Sequence, residues 1–248
     1  MNRRALKADI LLLLTAGIWG FGFVAQRSGM EYVGPFTFNG VRFILGSLSL
    51  LPLILFLRKK KNGPAASGKA ASGKAAGGKN AGGGSTGGKN AGNGKSGGKR
   101  LIFASFAAGS CLFVAVTLQQ FGIMFTTAGN AGFITGLYVV LTPIFGIFLG
   151  RKTGLPTWIG GVFTLAGLYF LSAAGQLDRI NPGDILTVAS AVFWALHVLL
   201  IDALVRRGRE PDGTAGGPGT TAERSSVDPI ELSSGQFACC GIYSLIAA

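Results

Sequence analysis

Charge is scarce in this chain, and acid is scarcer than base. Of 248 residues 13% are charged, ten of them acidic against 23 basic, and there is a single histidine. The three cysteines, Cys111, Cys239 and Cys240, all fall in apolar runs. Their spacing suits no zinc site, and adjacent cysteines rarely bridge each other, so they read as small buried residues. The apolar runs hold no paired carboxylates, no His/Cys/Asp metal set and no Gly-x-Ser-x-Gly elbow. Enzyme chemistry is therefore poorly supported, and no metal or cofactor is expected. The glycine-rich stretch in the first half lacks the strand and helix that a phosphate-binding loop requires.

What fills the chain instead is apolar. Hydrophobic residues make up 48% and mean hydropathy is +0.47, ordinary for a polytopic membrane protein and extreme for a soluble domain. Runs of spanning length lie at about Ile10–Gln26, Phe36–Leu57, Leu101–Phe121, Gly129–Gly150, Leu155–Gly175, Ile185–Val205 and Ile230–Ala248, each near the ~20 residues that cross a hydrocarbon core as a helix. The sequence predicts an all-α polytopic membrane protein with about seven spans. Arg3, Arg4 and Lys7 before the first run resemble a signal peptide, but the run is long and a second follows, so an uncleaved first helix is expected.

Basic residues set the orientation. They precede span one and follow span two (Arg58 to Lys61), span four (Arg151, Lys152) and span six (Arg206, Arg207, Arg209). The alternate connections hold Arg27 with Glu31, nothing charged, and Arg179 with Asp178 and Asp184. The N-terminus is expected in the cytoplasm, which excludes a heptahelical receptor, and the location is a cell (plasma or inner) membrane. Four segments result: spans one and two (1–57), a linker (58–100), spans three to five (101–182), and spans six and seven (183–248). The linker carries eleven Lys or Arg and no acid, with Gly-Lys units recurring among Ala, Ser and Asn. It lacks the apolar surface to offset its ordering entropy and reads as a flexible cytoplasmic tether. Anionic lipid headgroups are a partner it could meet; nucleic acid is not expected, because nothing there stacks on bases. Residues 206–228 read as a second polar linker.

Gly129 to Gly150 is the most informative single run. Gly132 and Gly136, like Gly146 and Gly150, are four apart and permit close helix approach. Pro143 lies inside, where neighbours must satisfy the freed carbonyl, and Asn130, Thr135, Tyr138 and Thr142 add polarity. A packed internal helix and a helix beside a cavity both fit.

The chain also repeats itself. Trp19 stands ten residues after Asp9, and Trp194 ten after Asp184. Pro35 is followed at seven and eight residues by Arg42 and Phe43, and Pro229 at the same spacing by Gln236 and Phe237. Five spans separate the two starts, so the second copy enters the membrane from the opposite side. Inverted repeats of this kind typify secondary transporters, with the substrate site near the midplane between copies. A complete second copy implies ten spans, so an incomplete second repeat is expected here.

Ala16-Gly17-Ile18-Trp19-Gly20-Phe21, Asn39-Gly40-Val41-Arg42-Phe43, Leu141-Thr142-Pro143 and Phe193-Trp194-Ala195-Leu196-His197 resemble the EamA family of the drug/metabolite transporter superfamily. The resemblance covers nearly the whole chain except the two linkers. It implies inverted five-helix repeats around a central cavity that carries small metabolites or drugs. The long Gly-Lys linker and the absence of about three final spans depart from that pattern.

Ionisable groups within spans are costly and each calls for a reason. Arg42 either snorkels to the outer interface or serves the cavity as an anion contact. His197, with an ordinary pKa near 6.5, is either a proton carrier or a hydrogen-bonded structural residue. Asp202 is expected to meet Arg206 one turn on. Gln26, Gln119, Gln120 and Asn130 line an outward vestibule or are solvated at the interface. Trp19 and Trp194 form a cavity wall or gate, or merely pack. The substrate-cavity candidates are thus Trp19, Gln26, Arg42, Gln119, Asn130, Tyr138, Trp194 and His197, with Gly132, Gly136 and Pro143 as hinge or packing positions. The expected function is alternating-access transport of small organic solutes, proton-coupled or by exchange; the alternative is a non-transporting membrane scaffold. Expected partners are the bilayer, a small-molecule substrate and a second copy of the chain.

Overall fold

One face of the third apolar run is built of small and aliphatic residues at helical spacing. Ala104, Ala108, Leu112, Ala115, Val116 and Ile123 are all 0–1% exposed, and this run is the axis of the bundle. The computed structural model describes residues 3–61, 93–151, 153–173, 182–206 and 227–248, and every element among them is helical. The helices are α1 (Arg3–Gly29), α2 (Pro35–Lys61), α3 (Asn93–Phe125), α4 (Ala128–Gly136), α5 (Tyr138–Phe148), α6 (Leu155–Ala173), α7 (Pro182–Arg206) and α8 (Pro229–Ile246).

By length and composition, five helical runs among the described residues can cross a membrane: Leu6–Gly29, Pro35–Lys59, Gly98–Phe125, Ala128–Phe148 and Pro182–Val205. Of the other two expected spans, α6 is an apolar helix of 19 residues, Leu155–Ala173, and α8 is interrupted by Glu231, Ser233, Ser234, Gln236 and Ser244, which lower its hydropathy. The helices also run past the linker boundaries of 58 and 100. α2 continues to Lys61, and α3 already starts at Asn93. The core of that linker (62–92), the second linker (207–226) and the connection at 174–181 lie outside the described residues.

α3 packs in parallel against α8 through small residues. A Cβ on Gly109 would stand 2.6 Å from Cys239 Cβ, and one on Gly235 would collide with Ser105. These residues let the backbones close to a distance that larger side chains forbid. α7 lies antiparallel on the same helix: Ser190 Oγ donates to Ala115 O (2.9 Å), and Cys111 Sγ to Phe193 O (3.6 Å). Gly122 faces Thr187 and the Gly183 carbonyl.

α2 and α8 cross antiparallel. Phe43 meets Phe237 at 5.5 Å, Ser47 Oγ donates to Ser234 O (2.9 Å), and Arg58 pairs with Glu231 at 2.7 Å. α1 is peripheral, with Leu11, Leu12, Leu13 and Leu14 between 57% and 76% exposed; in a bilayer such a face meets acyl chains.

The run Gly129–Gly150 is not one helix. It breaks at Leu137, whose N–H turns to Ile134 O at 3.1 Å instead of continuing the α pattern. Gly136 ends α4, a position where a weak helix former lets the chain tighten. Pro143 lies six residues further on, buried within α5, where it withdraws a donor from the Val139 carbonyl. Thr142 Oγ1 donates to Tyr138 O (2.7 Å) beside it. Gly150 is not part of a glycine face either. Its φ of +74° closes α5, with Gly150 N bonded to Ile147 O (2.8 Å) and Arg151 N to Gly146 O (2.9 Å), the paired bonds of a Schellman turn. That turn aims Arg151 at α7.

Candidate functional site

Helix geometry delivers three rings from three helices to one point. Trp19 projects from the middle of α1, Tyr138 opens α5 just after the break, and Trp194 stands midway along α7. Trp19 lies 5.8 Å from Tyr138 and 6.4 Å from Trp194, both edge-on, and Tyr138 lies 6.4 Å from Trp194. Phe23 extends the cluster from Trp19 at 6.5 Å. Aromatic pairs at such distances add to simple burial, so the trio is a firm wall.

Against it lies a cavity of about 660 Å³ between α1, α4, α5 and α6, a volume suited to a small organic molecule. Trp19, Phe23, Gly132, Thr135, Gly136 and Tyr138 contribute to its lining. Gly132 keeps the wall thin, since a Cβ there would sit 3.8 Å from the Phe23 ring. The lining is almost wholly apolar and carries no acid. Thr135 is its main polar feature, held by Gln119, whose Nε2 donates to Thr135 Oγ1 at 3.1 Å.

Behind Trp194 the chemistry turns polar. The edge of His197 meets the Trp194 ring at 5.9 Å, and His197 Nε2 donates to Gln236 Oε1 at 3.0 Å with both residues about 95% buried. Gln236 is the repeat equivalent of Arg42. Phe43, Leu112, Val116 and Cys240 form the core cluster that Trp194 and Phe237 pack against.

The other candidates separate. Arg42 makes no ring contact with the aromatic trio; its guanidinium lies 4.8 Å from the Phe43 ring and its Nη2 donates to Asn39 Oδ1 (3.1 Å). Gln26 is 5% exposed, and its Oε1 has no partner among the described residues. Asn130 does not join the glutamines. Its backbone N–H is capped by Thr127 Oγ1 (3.1 Å), and it lines a different groove of about 350 Å³ with Asp184, Ile185 and Val188. Asp202 pairs across helices with Arg151, because the turn at Gly150 swings that arginine onto α7; the side chain of Arg206, expected to meet Asp202 one turn on, lies outside the described residues. At the opposite end Arg27 donates to the Ile123 and Thr126 carbonyls, and Thr126 Oγ1 donates to Asp184 Oδ1 (2.6 Å). Cations at a helix C-terminus are favourable there.

Phe23, Thr135 and Asn39 were not among the expected site residues. For Asn39 a signal existed: it lies on the stripe Phe36, Asn39, Phe43, Ser47, a single amide on an otherwise inward face of α2. For Thr135 the signal is its polarity within the Gly129–Gly150 run, whereas nothing in the local pattern marks Phe23 as a cavity residue.

Known proteins give the following likenesses. The EamA-like transporter family matches residues 6–77 and 85–173. An uncharacterized transporter of Archaeoglobus fulgidus is 29% identical over 199 residues, 80% of this chain and 50% of that protein. One of Bacillus subtilis is 26% identical over 196 residues, 77% of this chain and 52% of that protein. A human member of solute carrier family 35 is 25% identical over 105 residues, 38% of this chain and 28% of that protein. The chain thus spans between 50% and 57% of the three relatives it matches most extensively. No solved structure matches it.

Proposed function

The chain belongs to the EamA-like transporter family, a multi-pass membrane family, and from that premise we propose that it moves small organic solutes by alternating access of two inverted repeats. The observation that carries the reading is the contact of Trp19 with Trp194, repeat equivalents that meet at 6.4 Å, with Trp19 lining the cavity and Trp194 packed behind it. A residue and its equivalent touch only close to the axis relating the copies, and that axis is where inverted-repeat transporters place their site. The apolar lining favours a solute with an apolar or aromatic body. The break at Leu137 lets α5 tilt against α4, carrying Tyr138 with it, while the Arg151–Asp202 pair holds its far end.

The test is flux in proteoliposomes, with and without a pH gradient, using benzoate, benzamide, ethidium and neutral amino acids as solutes. Saturable uptake of one of them, reduced at least about tenfold in Trp194→Ala and less in Trp194→Phe, is the expected result. Stable insertion with no flux of any solute overturns the reading in favour of a membrane scaffold.

A further inference from the structure

Buried side-chain polar atoms without a partner are few among the described residues, and they are not scattered. They are Gln26 Oε1, Asn39 Nδ2, Thr117 Oγ1, both amide atoms of Gln120, and Trp194 Nε1. All but the last belong to α1, α2 and α3. Gln26 is 5% exposed, and Asn39 and Gln120 are 0% exposed. Unpaired polar groups are costly within hydrocarbon, so a group of them points to an occupant.

Contacts place those of α2 and α3 together. Phe36 packs on both Phe113 (6.4 Å) and Phe121 (5.4 Å). The face of α3 bearing Thr117 and Gln120 therefore lies against the first turns of α2, where Asn39 stands one turn past Phe36. The Gln26 amide folds back along α1, its Nε2 4.0 Å from where a Cβ on Gly22 would be. The repeat supplies the remaining link. Gly22 is three residues past Trp19, as His197 is three past Trp194, and Arg42 is the equivalent of Gln236. In the second copy histidine and amide bond to each other at 3.0 Å. In the first copy glycine replaces the histidine and a guanidinium replaces the amide.

Arg42 is charged, yet its one hydrogen-bond acceptor among the described residues is the Asn39 oxygen at 3.1 Å, with the rings of Phe43 and Phe38 at 4.8 and 5.7 Å and Cys240 nearby. Neither ion pair seen among the described residues, Arg58–Glu231 or Arg151–Asp202, involves it. Because the Asn39 oxygen is taken by Arg42, the Asn39 amide presents only its N–H donors. The unpartnered amide atoms divide evenly between donors (Asn39 Nδ2, Gln120 Nε2) and acceptors (Gln26 Oε1, Gln120 Oε1), so the excess of donors comes from the Arg42 guanidinium, which has no ion-pair carboxylate among the described residues.

We propose that Arg42 and Asn39, flanked by Gln26 and Gln120, form a subsite for the carboxylate of the transported solute. Guanidinium and amide N–H groups match a carboxylate in charge and in fork geometry. Trp194 packs against the cluster containing Phe43 and also touches Trp19 and Tyr138, so it stands between this subsite and the aromatic cavity. The solute class is then a small organic acid, its apolar body in the cavity and its carboxylate toward Arg42. This rests on the transport reading above.

The test uses the full chain in detergent micelles, with benzoate and its neutral isostere benzamide as probes. Binding is read by intrinsic tryptophan fluorescence, with N-acetyltryptophanamide in the same micelles as the quenching control. Wild type is expected to bind benzoate saturably and benzamide at least about tenfold more weakly. Arg42→Gln brings benzoate to the benzamide level, Arg42→Lys falls between, and Asn39→Ala weakens benzoate with the charge intact. Equal binding of the two probes by wild type overturns the subsite, and so does the absence of benzoate binding. That comparison needs no variant, so it decides even if Arg42→Gln does not fold. Benzoate binding that depends on Arg42 without benzoate flux in liposomes overturns the transport reading and keeps the subsite. Benzoate flux undiminished in Arg42→Gln does the reverse.

Discussion

Trp19 and Trp194 meet edge-on with ring centroids 6.4 Å apart and planes inclined by 69°. Phe43 and Phe237, the other aromatic pair related by the repeat, meet at 5.5 Å. Two self-equivalent contacts on different helices define one pseudo-twofold axis, and both lie near mid-bundle. Ser47 and Gly241 are equivalents, as are Ser234 and Gly40, and all four sit at the α2–α8 crossing. An antiparallel crossing with self-equivalent contacts is what an inverted duplication produces.

That crossing is directly testable by cross-linking. Ser47 Oγ and Ser234 Oγ lie 3.2 Å apart, close enough for paired cysteines to bridge with little backbone movement. In a chain with Cys111, Cys239 and Cys240 changed to alanine, Ser47→Cys with Ser234→Cys should cross-link nearly completely on mild oxidation. Ser49→Cys with Ser234→Cys should not, since Ser49 is on the other face of α2. Mass spectrometry of the bridged peptides reads the result; the reverse pattern would refute the crossing.

Close approach of α3 and α8 predicts a compensating pair. A Cβ on Gly109 would stand 2.6 Å from Cys239 Cβ and 3.0 Å from the Gln236 carbonyl. Gly109→Val should lower stability by roughly 1–3 kcal/mol, the usual cost of forcing atoms into a packed contact. Cys239→Gly in the same chain should recover part of that loss. Thermal retention of the monodisperse peak in size exclusion measures both, and an unaltered midpoint for Gly109→Val would count against the packing.

Much of this architecture was legible before any coordinate, and the reason is periodic. Spanning runs, basic flanks and the offset-matched repeat all depend on spacing along the chain, which the sequence displays. Trp19, Tyr138, Trp194 and His197 stand out as polar or aromatic in mid-span; their rings adjoin one another, with Trp19 and Tyr138 lining the cavity of about 660 Å³ and Trp194 and His197 behind them. What spacing does not display is rotation about the helix axis. Asn130 was grouped with Gln26 and Gln119 because all are amides near the same end, yet it faces Asp184 and a separate groove. The break at Leu137 was also hidden. Pro143 suggests a hinge at its own position, whereas the chain tightens at Leu137, six residues earlier. Likewise Gly150 reads as half of a glycine pair until its φ shows that it ends a helix.

Charged residues gather at two ends of the bundle, and this predicts a labelling pattern. Arg58, Glu231, Arg151 and Asp202 share one end, while Arg27, Thr126 and Asp184 share the other. The distribution of basic residues assigns the first group to the cytoplasm. In a cysteine-free background, Arg58→Cys should resist a membrane-impermeant maleimide in intact cells and react after permeabilisation. Arg27→Cys should react without permeabilisation. The opposite result would invert the topology.

Arg151 and Asp202 join α5 of the first copy to α7 of the second, and their side chains are 30% and 32% exposed. At that exposure solvent screens the pair, so a double-mutant cycle should give no more than about 1 kcal/mol of coupling. Its effect on conformation should be larger than its effect on stability. Asp202→Asn frees the far end of α5, so cysteines placed near Tyr138 should become more reactive, while the charge-swapped pair Arg151→Asp with Asp202→Arg restores protection. Unchanged reactivity in Asp202→Asn would exclude the pair as a latch.

His197 and Gln236 allow the proton question to be put sharply. An amide oxygen only accepts, so the bond between His197 Nε2 and Gln236 Oε1 places a proton on Nε2 and leaves Nδ1 as the site that gains or loses one. If flux is proton-coupled through this residue, its pH dependence near neutrality should disappear in His197→Gln; an unaltered profile would remove His197 from coupling. The structural role is separable. His197→Leu strands the buried Gln236 amide and should destabilise more than His197→Leu combined with Gln236→Leu, since unpaired buried groups cost more than matched apolar ones. The coupling energy from that cycle should fall near ~0.6 kcal/mol, typical of interhelical hydrogen bonds within a membrane bundle. A stability effect with an intact pH profile makes this histidine a tie within the second copy, whereas loss of the profile with stability retained makes it the carrier.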